Sequence, residues 1–121
     1  MNTLSLLLDT NIIIAVLNNY IQSAALSEQL CMSAISLMEL YALAGMAEQE
    51  ENRLENELDF IKVLPVNAAT ARQAGLLSRT RRRGVRSDLL IAATALEHRL
   101  PLLTNNTKDF KNISGLILKA A

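Results

Sequence analysis

The sequence is poor in aromatic residues, cysteine and histidine. Its 121 residues include no tryptophan, two tyrosines, two phenylalanines, one cysteine and one histidine. Because few aromatic rings are available to stack on nucleic-acid bases, we expect little base recognition by stacking. The lone Cys31 stands in an apolar context, which favours a small buried side chain over a thiol nucleophile. This cysteine usage suits a reducing cytoplasm.

Positive charge is also missing from the first part of the chain, where no Lys or Arg precedes Arg53. A secretory signal begins with a basic region, so none is expected. The uncharged stretch 10–27 contains Asn, Gln, Ser and Tyr residues and makes a poor membrane span. We therefore expect a cytoplasmic protein without membrane association, folded as a single domain over residues 1–121.

The charges are balanced in number, with 12 basic and 12 acidic residues, but they are segregated along the chain. Half of the acids lie between Glu48 and Asp59, and half of the bases lie between Arg72 and Arg86. Among the remaining acids, four stand in apolar or turn contexts where a charge needs an explanation: Asp9, Glu39, Asp88 and Asp109.

Short apolar runs alternate with helical patterns along the whole chain. Strands are predicted at 4–8, 30–32, 62–66, 102–104 and 116–118. Helices are predicted at 11–17, 21–30, 33–46, 48–61, 67–83 and 87–98, with a polar loop or short helix at 105–111. This alternation indicates an α/β protein, a three-layer α/β/α sandwich with a central, mainly parallel sheet.

Acidic and amide residues follow the predicted structural breaks. Asp9 ends the first strand, and Glu39 lies in the first turns of the helix after the second strand. Asp88 opens a later helix, while Asn106 and Asp109 follow the fourth strand. In open parallel sheets ligands bind outside the carboxyl ends of the strands. If these positions share that edge, the clustered carboxylates repel one another and resist ionising unless a cation intervenes. Oxygen ligands select Mg²⁺ or Mn²⁺ over zinc.

Each of these acids also has a purely structural explanation. Asp9 can cap the following helix, and Ser36 with Glu39 fits a capping box. Asp88 would favour a helix N-terminus by about 0.3–1 kcal/mol, and Asp109 can be an ordinary loop acid. Taken singly, the residues leave these alternatives open.

Four segments in order resemble the signatures of PIN-domain ribonucleases, and most of all those of the VapC toxins of type II toxin–antitoxin pairs. The segments are LLDTN at 7–11, SxxE at 36–39, DLLIAATAL at 88–96 and LTNNTKDF at 103–110. The resemblance covers essentially the whole chain. It implies a PIN-like fold and a metal-dependent endoribonuclease.

The resemblance also implies roles for individual residues. Asp9, Glu39 and Asp88 would hold Mg²⁺ or Mn²⁺, and Asp109 stands where close relatives also carry a catalytic acid. The metal would activate a water molecule and neutralise charge on an RNA phosphodiester, so no histidine base is needed. His98 is then better explained as a favourable charge at a helix end.

Supporting roles follow from the same resemblance. Thr104 would support Asp9 from the neighbouring strand end, and Asn11 would help to order the pocket. Members often carry another acid two residues after the threonine, where this chain has Asn106.

Five arginines lie in the segment just before Asp88: Arg79, Arg81, Arg82, Arg83 and Arg86. Basic residues favour a helix C-terminus, but five are more than that effect explains. A cationic rim beside a metal site would attract an RNA backbone in a salt-dependent way. We therefore predict RNA contacts from Arg79, Arg82, Arg83 and Arg86. By resemblance, the partners are RNA, a cognate antitoxin protein and a second copy of the chain in a homodimer.

Two other interpretations compete with a nuclease. A phospho-acceptor receiver domain would need an acidic pair after the first strand and a lone Asp after a central strand. Asp9 has no acidic neighbour and Asp59 lies in a carboxylate-rich helix, which disfavours that class. A non-catalytic PIN-fold binding module stays open because Asn106 replaces a common acid.

Overall fold

The computed structural model describes residues 5–22, 29–43, 47–81 and 86–120. These ranges contain five strands and six α-helices, with a short 3₁₀ helix at Leu58–Phe60. The elements in chain order are β1 (Ser5–Leu8), α1 (Thr10–Leu17), β2 (Gln29–Ser33), α2 (Ala34–Tyr41), α3 (Glu48–Glu57), β3 (Lys62–Leu64), α4 (Ala68–Ser78), α5 (Ser87–His98), β4 (Leu102–Leu103), α6 (Thr107–Phe110) and β5 (Leu118–Lys119).

The strands form one five-stranded sheet in the order β3-β2-β1-β4-β5. Every pair of neighbouring strands is parallel, with Leu7 of β1 in register with Cys31 on one side and Leu102 on the other. β1 is therefore the central strand, which explains its short, uninterrupted apolar run. The predicted parallel sheet is confirmed.

Each face of the sheet is covered by helices. Leu6 and Leu8 of β1 belong to a buried cluster that includes residues of α1, α2 and α3. Leu7 and Cys31 point the other way, into a second cluster with residues of α5 and α6. A third, small cluster joins Ala74 of α4 to α5. This alternation confirms the three-layer sandwich, and Cys31 is a free, buried cysteine as predicted.

The helices α1 and α2 begin directly after β1 and β2, and a polar side chain at the end of each strand caps the helix that follows. Asp9 is the N-cap of α1, and its Oδ1 accepts a hydrogen bond of 2.8 Å from the backbone N–H of Thr10. Ser33 is the N-cap of α2, with its Oγ accepting from Ile35 N at 3.3 Å. The capping box of Ser36 and Glu39, left open as a structural alternative, is not formed, because β2 runs directly into α2 and Ser33 is the N-cap. Capping does not account for Glu39.

Several predicted boundaries also differ from the structure. The helix predicted at 21–30 is wrong at both described ends, since Ile21 and Gln22 are not helical and Gln29 belongs to β2. At Gln29 and Leu30, pairing with β1 determines the backbone more strongly than the apolar spacing. Residues 23–28 and 44–46, which belonged to predicted helices, lie outside the described residues.

In the second half of the chain the differences are smaller. α4 ends at Ser78 rather than at 83, and β3 stops before Pro65, which has no N–H to donate to a ladder. The last strand is Leu118–Lys119, so the predicted strand at 116–118 begins two residues too early. In the ranges that the structure describes, no helix has the length and apolar character to cross a membrane.

Candidate functional site

The site begins where the two central strands β1 and β4 end. The backbone N–H of Asp9 donates to the carbonyl of Leu103 at 3.0 Å, which sets Asp9 beside Thr104. The Thr104 hydroxyl donates to Oδ2 of Asp9 at 2.8 Å, and both side chains are buried. Because Thr10 N holds the other carboxylate oxygen, the Asp9 side chain has a fixed orientation at the carboxyl edge of the sheet.

Glu39 is held to the same edge by hydroxyl groups. The Thr10 Oγ1 lies 2.8 Å from Oε1 of Glu39 and 2.8 Å from Oγ of Ser36. A hydroxyl has one proton, so both contacts are satisfied when Thr10 donates to the carboxylate and Ser36 donates to Thr10. Ser87, at the start of α5, donates to Oε2 of Glu39 at 3.2 Å. Hydroxyl groups from two other helices, α1 and α5, therefore hold the two oxygens of this carboxylate.

Asp88 enters the site from the first turn of α5. Its Oδ2 lies 3.0 Å from Nη2 of Arg86, with which it forms an ion pair. Its Oδ1 is buried and finds no hydrogen-bond partner among the described residues. A buried carboxylate oxygen without a partner is costly, and a bound cation is one common way to satisfy it.

Asp109 and Asn106 complete the wall of the site next to α6. The guanidinium of Arg86 reaches Oδ2 of Asp109 at 3.3 Å, so one arginine lies between two carboxylates. The side-chain amide of Asn106 also donates to Oδ2 of Asp109, and its backbone N–H donates to Oγ1 of Thr104 at 2.9 Å. Asn106, at the position where the resemblance led us to expect an acid, is therefore an amide that donates to Asp109.

These side chains line one open cavity of about 500 Å³, which we call the acidic cavity. Of the predicted site residues, it is lined by Asp9, Asn11, Glu39, Arg86, Asp88, Asn106 and Asp109. The structure thus places these residues around one cavity, and their catalytic roles stay predictions.

The electrostatics of Asp9 reflect this crowding. Burial raises the pKa of Asp9 above its usual value, and the hydrogen bonds from Thr104 and Thr10 lower it. The negative charges of Glu39 and Asp88 raise the pKa further, so the three carboxylates are close enough to repel one another. A cation placed among them would relieve that repulsion.

We tested whether these residues suit a divalent ion. Within the described ranges, no three Asp, Glu, His or Cys side chains are arranged as a ready-made metal-binding group. The donors nevertheless fit a hard cation, because they are carboxylate oxygens and one of them, Asp88 Oδ1, is buried without a partner. Arg86 supplies positive charge to two of these carboxylates in this arrangement.

Other predicted residues lie elsewhere. Arg79 is exposed at the C-terminal cap of α4 and is not among the residues that line the acidic cavity. Arg82 and Arg83 lie outside the described residues. His98 lines a different cavity, with Ser5 and Gln29 at the amino ends of the strands.

Sequence reasoning missed the hydroxyl groups that orient Glu39, namely those of Thr10, Ser36 and Ser87. Two of them directly follow or precede a predicted acid in the sequence, and that adjacency is the signal that could have found them. It also missed that Arg86 pairs with the acids, because only the fold brings Asp109 to it.

A parallel α/β sheet with carboxylates gathered at its carboxyl edge offers, at the usual ligand-binding edge of such sheets, the oxygen ligands that a hard cation takes. The family model described as PIN domain matches residues 6–116. The chain therefore belongs to the PIN-domain family, as its sequence signatures indicate.

Curated relatives cover nearly the whole chain. The tRNA(fMet)-specific endonuclease VapC of Shigella flexneri is 32% identical over 127 aligned residues, covering 93% of this chain and 95% of the relative. Ribonuclease VapC2 of Rickettsia felis is 31% identical with the same coverage. The chain is thus similar to VapC ribonucleases from end to end.

Solved structures agree with this relationship. VapBC-1 from nontypeable Haemophilus influenzae superposes with a TM-score of 0.82 at 28% identity, covering 97% of this chain and 98% of that one. VapBC2 from Rickettsia felis, bound to a DNA fragment from its promoter, gives 0.79 at 29% identity, covering 98% and 99%. Both structures are VapBC complexes, which are toxin–antitoxin systems.

Proposed function

We propose that this chain is a divalent-metal-dependent endoribonuclease, the toxin of a VapC-type toxin–antitoxin pair, acting as a single PIN domain. The observation that carries the proposal is the convergence of Asp9, Glu39 and Asp88 on one cavity at the carboxyl edge of the sheet. The similarity to VapC ribonucleases along the chain supports it.

The metal ligands in this proposal are Asp9, Glu39 and Asp88, and the ion is Mg²⁺ or Mn²⁺. When bound, the ion supplies an acidified water molecule and positive charge for the phosphate and the leaving oxygen. Asp109, held by Arg86 and Asn106 beside Asp88, completes the catalytic group.

The protein's own side chains prepare the site. Thr104 and Thr10 N hold the two oxygens of Asp9, which keeps that carboxylate aimed into the cavity. Thr10 and Ser87 do the same for the two oxygens of Glu39. Such support restricts the carboxylates to one geometry and is expected to raise affinity for a ligand ion. Arg86 offers a guanidinium at the cavity wall to an incoming phosphate.

The partners that this function requires are RNA, an antitoxin that blocks the cavity, and a second copy of the chain in a homodimer. The VapBC neighbours support the antitoxin, since VapB and VapC occur there together. An RNA-cleaving toxin acts where cellular RNA is, so we place the protein in the cytoplasm. RNA contacts from the exposed Arg79 and from Arg82 and Arg83 belong to the same proposal.

Cleavage of total RNA by the purified, antitoxin-free protein tests this function. We expect Mg²⁺- or Mn²⁺-dependent cleavage by the wild type, which EDTA and Asp9→Asn abolish. Asp59→Asn is the matched control, because Asp59 is an exposed Asp in the 3₁₀ helix. A Mn²⁺-induced rise in melting temperature in the wild type and in Asp59→Asn, but not in Asp9→Asn, is the second readout.

The two readouts separate the competing functions. Mn²⁺ binding without any cleavage would contradict the nuclease and favour a non-catalytic PIN-fold binding module. Equal cleavage by the wild type and Asp9→Asn would show that the activity comes from a contaminant.

A further inference from the structure

A second cavity adjoins the acidic one and has the opposite charge. Its volume is about 470 Å³, and we call it the basic cavity. Arg86, Asp88, Asn106 and Asp109 line both cavities. The ion pairs of Arg86 with the two carboxylates therefore form a wall between the cavities.

The residues that line only one of the two cavities differ in sign. On the far side of the wall, the described residues of the basic cavity include Arg81, Lys108 and Lys111 and no acid. On the near side, those of the acidic cavity include Asp9 and Glu39 and no base. Positive and negative charge are thus separated across a single ion-paired wall.

The basic cavity is built by contacts between distant segments. Nη2 of Arg81, just after α4, donates to the backbone carbonyl of Lys111, just after α6, at 2.9 Å. This bond connects residues 30 positions apart, and both of them line the cavity. Lys108 and Lys111 stay exposed, so their ammonium groups are accessible to a ligand.

We propose that the basic cavity binds a backbone phosphate of the RNA next to the phosphate that is cleaved, with Lys108 and Lys111 as its principal contacts. This inference rests on the proposed function. An RNA strand that enters a cavity of carboxylates meets repulsion, and an adjoining cluster of cations offsets that repulsion along the same strand. Arg86 in the shared wall then lies between two successive phosphates, and the pocket reads no base, because its cations are point charges for phosphate oxygens.

The test measures RNA binding in an Asp9→Asn background, so that bound RNA is not cut. A labelled single-stranded RNA is titrated at several KCl concentrations into Asp9→Asn and into the same protein carrying Lys108→Gln and Lys111→Gln. We expect affinity to fall about threefold to tenfold, the range for two exposed ion pairs. The slope of log affinity against log salt should lose about 0.7 for each phosphate contact removed.

Two further variants control for charge and folding. Lys62→Gln with Arg99→Gln also removes two positive charges, but from exposed positions away from both cavities. Lys62 is the first residue of β3, and Arg99 follows the end of α5. Lys108→Arg with Lys111→Arg keeps the charge of the cavity. We expect both control variants to retain the salt slope of the Asp9→Asn protein.

The outcomes distinguish this inference from the proposed function. If RNA affinity falls equally in the Lys108/Lys111 and Lys62/Arg99 variants, the basic cavity is not a binding site, and the loss comes from the change in net charge alone. An unchanged slope in the Lys108/Lys111 variant, while the wild type cleaves RNA, would overturn the cavity and leave the nuclease standing. An inactive wild type would remove the nuclease, and the binding comparison would still decide whether this cavity takes RNA.

Discussion

Thr104 donates a hydrogen bond of 2.8 Å to Asp9, and the two residues lie 95 positions apart in the chain. They become neighbours because β1 and β4 pair in parallel, with Leu8 in register with Leu103. Both side chains are buried, so this single contact connects the middle of the sheet to the site. Asp9 therefore contributes to the packing of the sheet edge and also lines the acidic cavity.

Removing the Thr104 hydroxyl should cost both stability and activity. In Thr104→Val, one oxygen of the buried Asp9 loses its donor, and we expect a loss of about 1–3 kcal/mol in the free energy of unfolding at neutral pH. Urea denaturation measures this loss, and RNA cleavage should fall with it. Thr104→Ser keeps the hydroxyl and should resemble the wild type. A valine variant as stable and as active as the wild type would show that Asp9 does not depend on this contact.

Replacing Glu39 should abolish the chemistry without weakening the fold. Glu39→Gln removes one of three mutually repelling carboxylates, so the metal-free protein should be at least as stable as the wild type. Cleavage and Mn²⁺ affinity should fall roughly 100-fold or more, since orienting neighbours of a metal ligand alone are worth 10–100-fold. Glu55→Gln, at an exposed position of α3, is the matched control. Retained cleavage in Glu39→Gln would remove Glu39 from the catalytic group.

Neutralising Arg86 should strengthen metal binding and weaken RNA binding. Its guanidinium pairs with Asp88 and Asp109 at 3.0 and 3.3 Å, so its positive charge opposes the binding of a cation to the same carboxylates. In Arg86→Gln we expect Mn²⁺ to bind about two- to fivefold more tightly, as measured by electron paramagnetic resonance of free Mn²⁺. Arg53→Gln breaks an exposed ion pair with Glu57 and should leave Mn²⁺ affinity unchanged. Weaker Mn²⁺ binding in Arg86→Gln would instead mean that Arg86 positions the carboxylates for the metal.

Cys31 should make stability decrease at alkaline pH. Burial raises the pKa of the Cys31 thiol above its ordinary value of 9.0, with a smaller opposing effect from Lys62. The folded state therefore favours the neutral thiol, a contribution that is present below pH 9.0 and lost as the pH rises toward the folded-state pKa. Between about pH 8 and about pH 10, the wild type should lose more unfolding free energy than Cys31→Ala. Rapid reaction of the native thiol with a thiol reagent would contradict this burial.

Much of the fold follows from local sequence patterns. The central strand β1 was predictable from a short apolar run that stops at Asp9, because a strand buried on both faces has apolar residues at successive positions. The capping of α4 by Asn67 follows from one side chain and its near neighbours, and the structure shows the reciprocal bonds with Thr70. The segment at 21–30 misled because apolar spacing alone does not reveal a partner strand.

The sequence by itself determined which residue types could carry chemistry: acids in unexpected apolar contexts, in an order that matches PIN-domain signatures. That information is local, since it depends on residue type and on spacing within each segment. Only the tertiary structure decided that Arg86, besides pairing with its near neighbour Asp88, also pairs with Asp109, and that a basic cavity adjoins the wall they form. The contact between Arg86 and Asp109 joins residues 23 positions apart, and it exists only because the parallel strands bring their carboxyl ends to one edge.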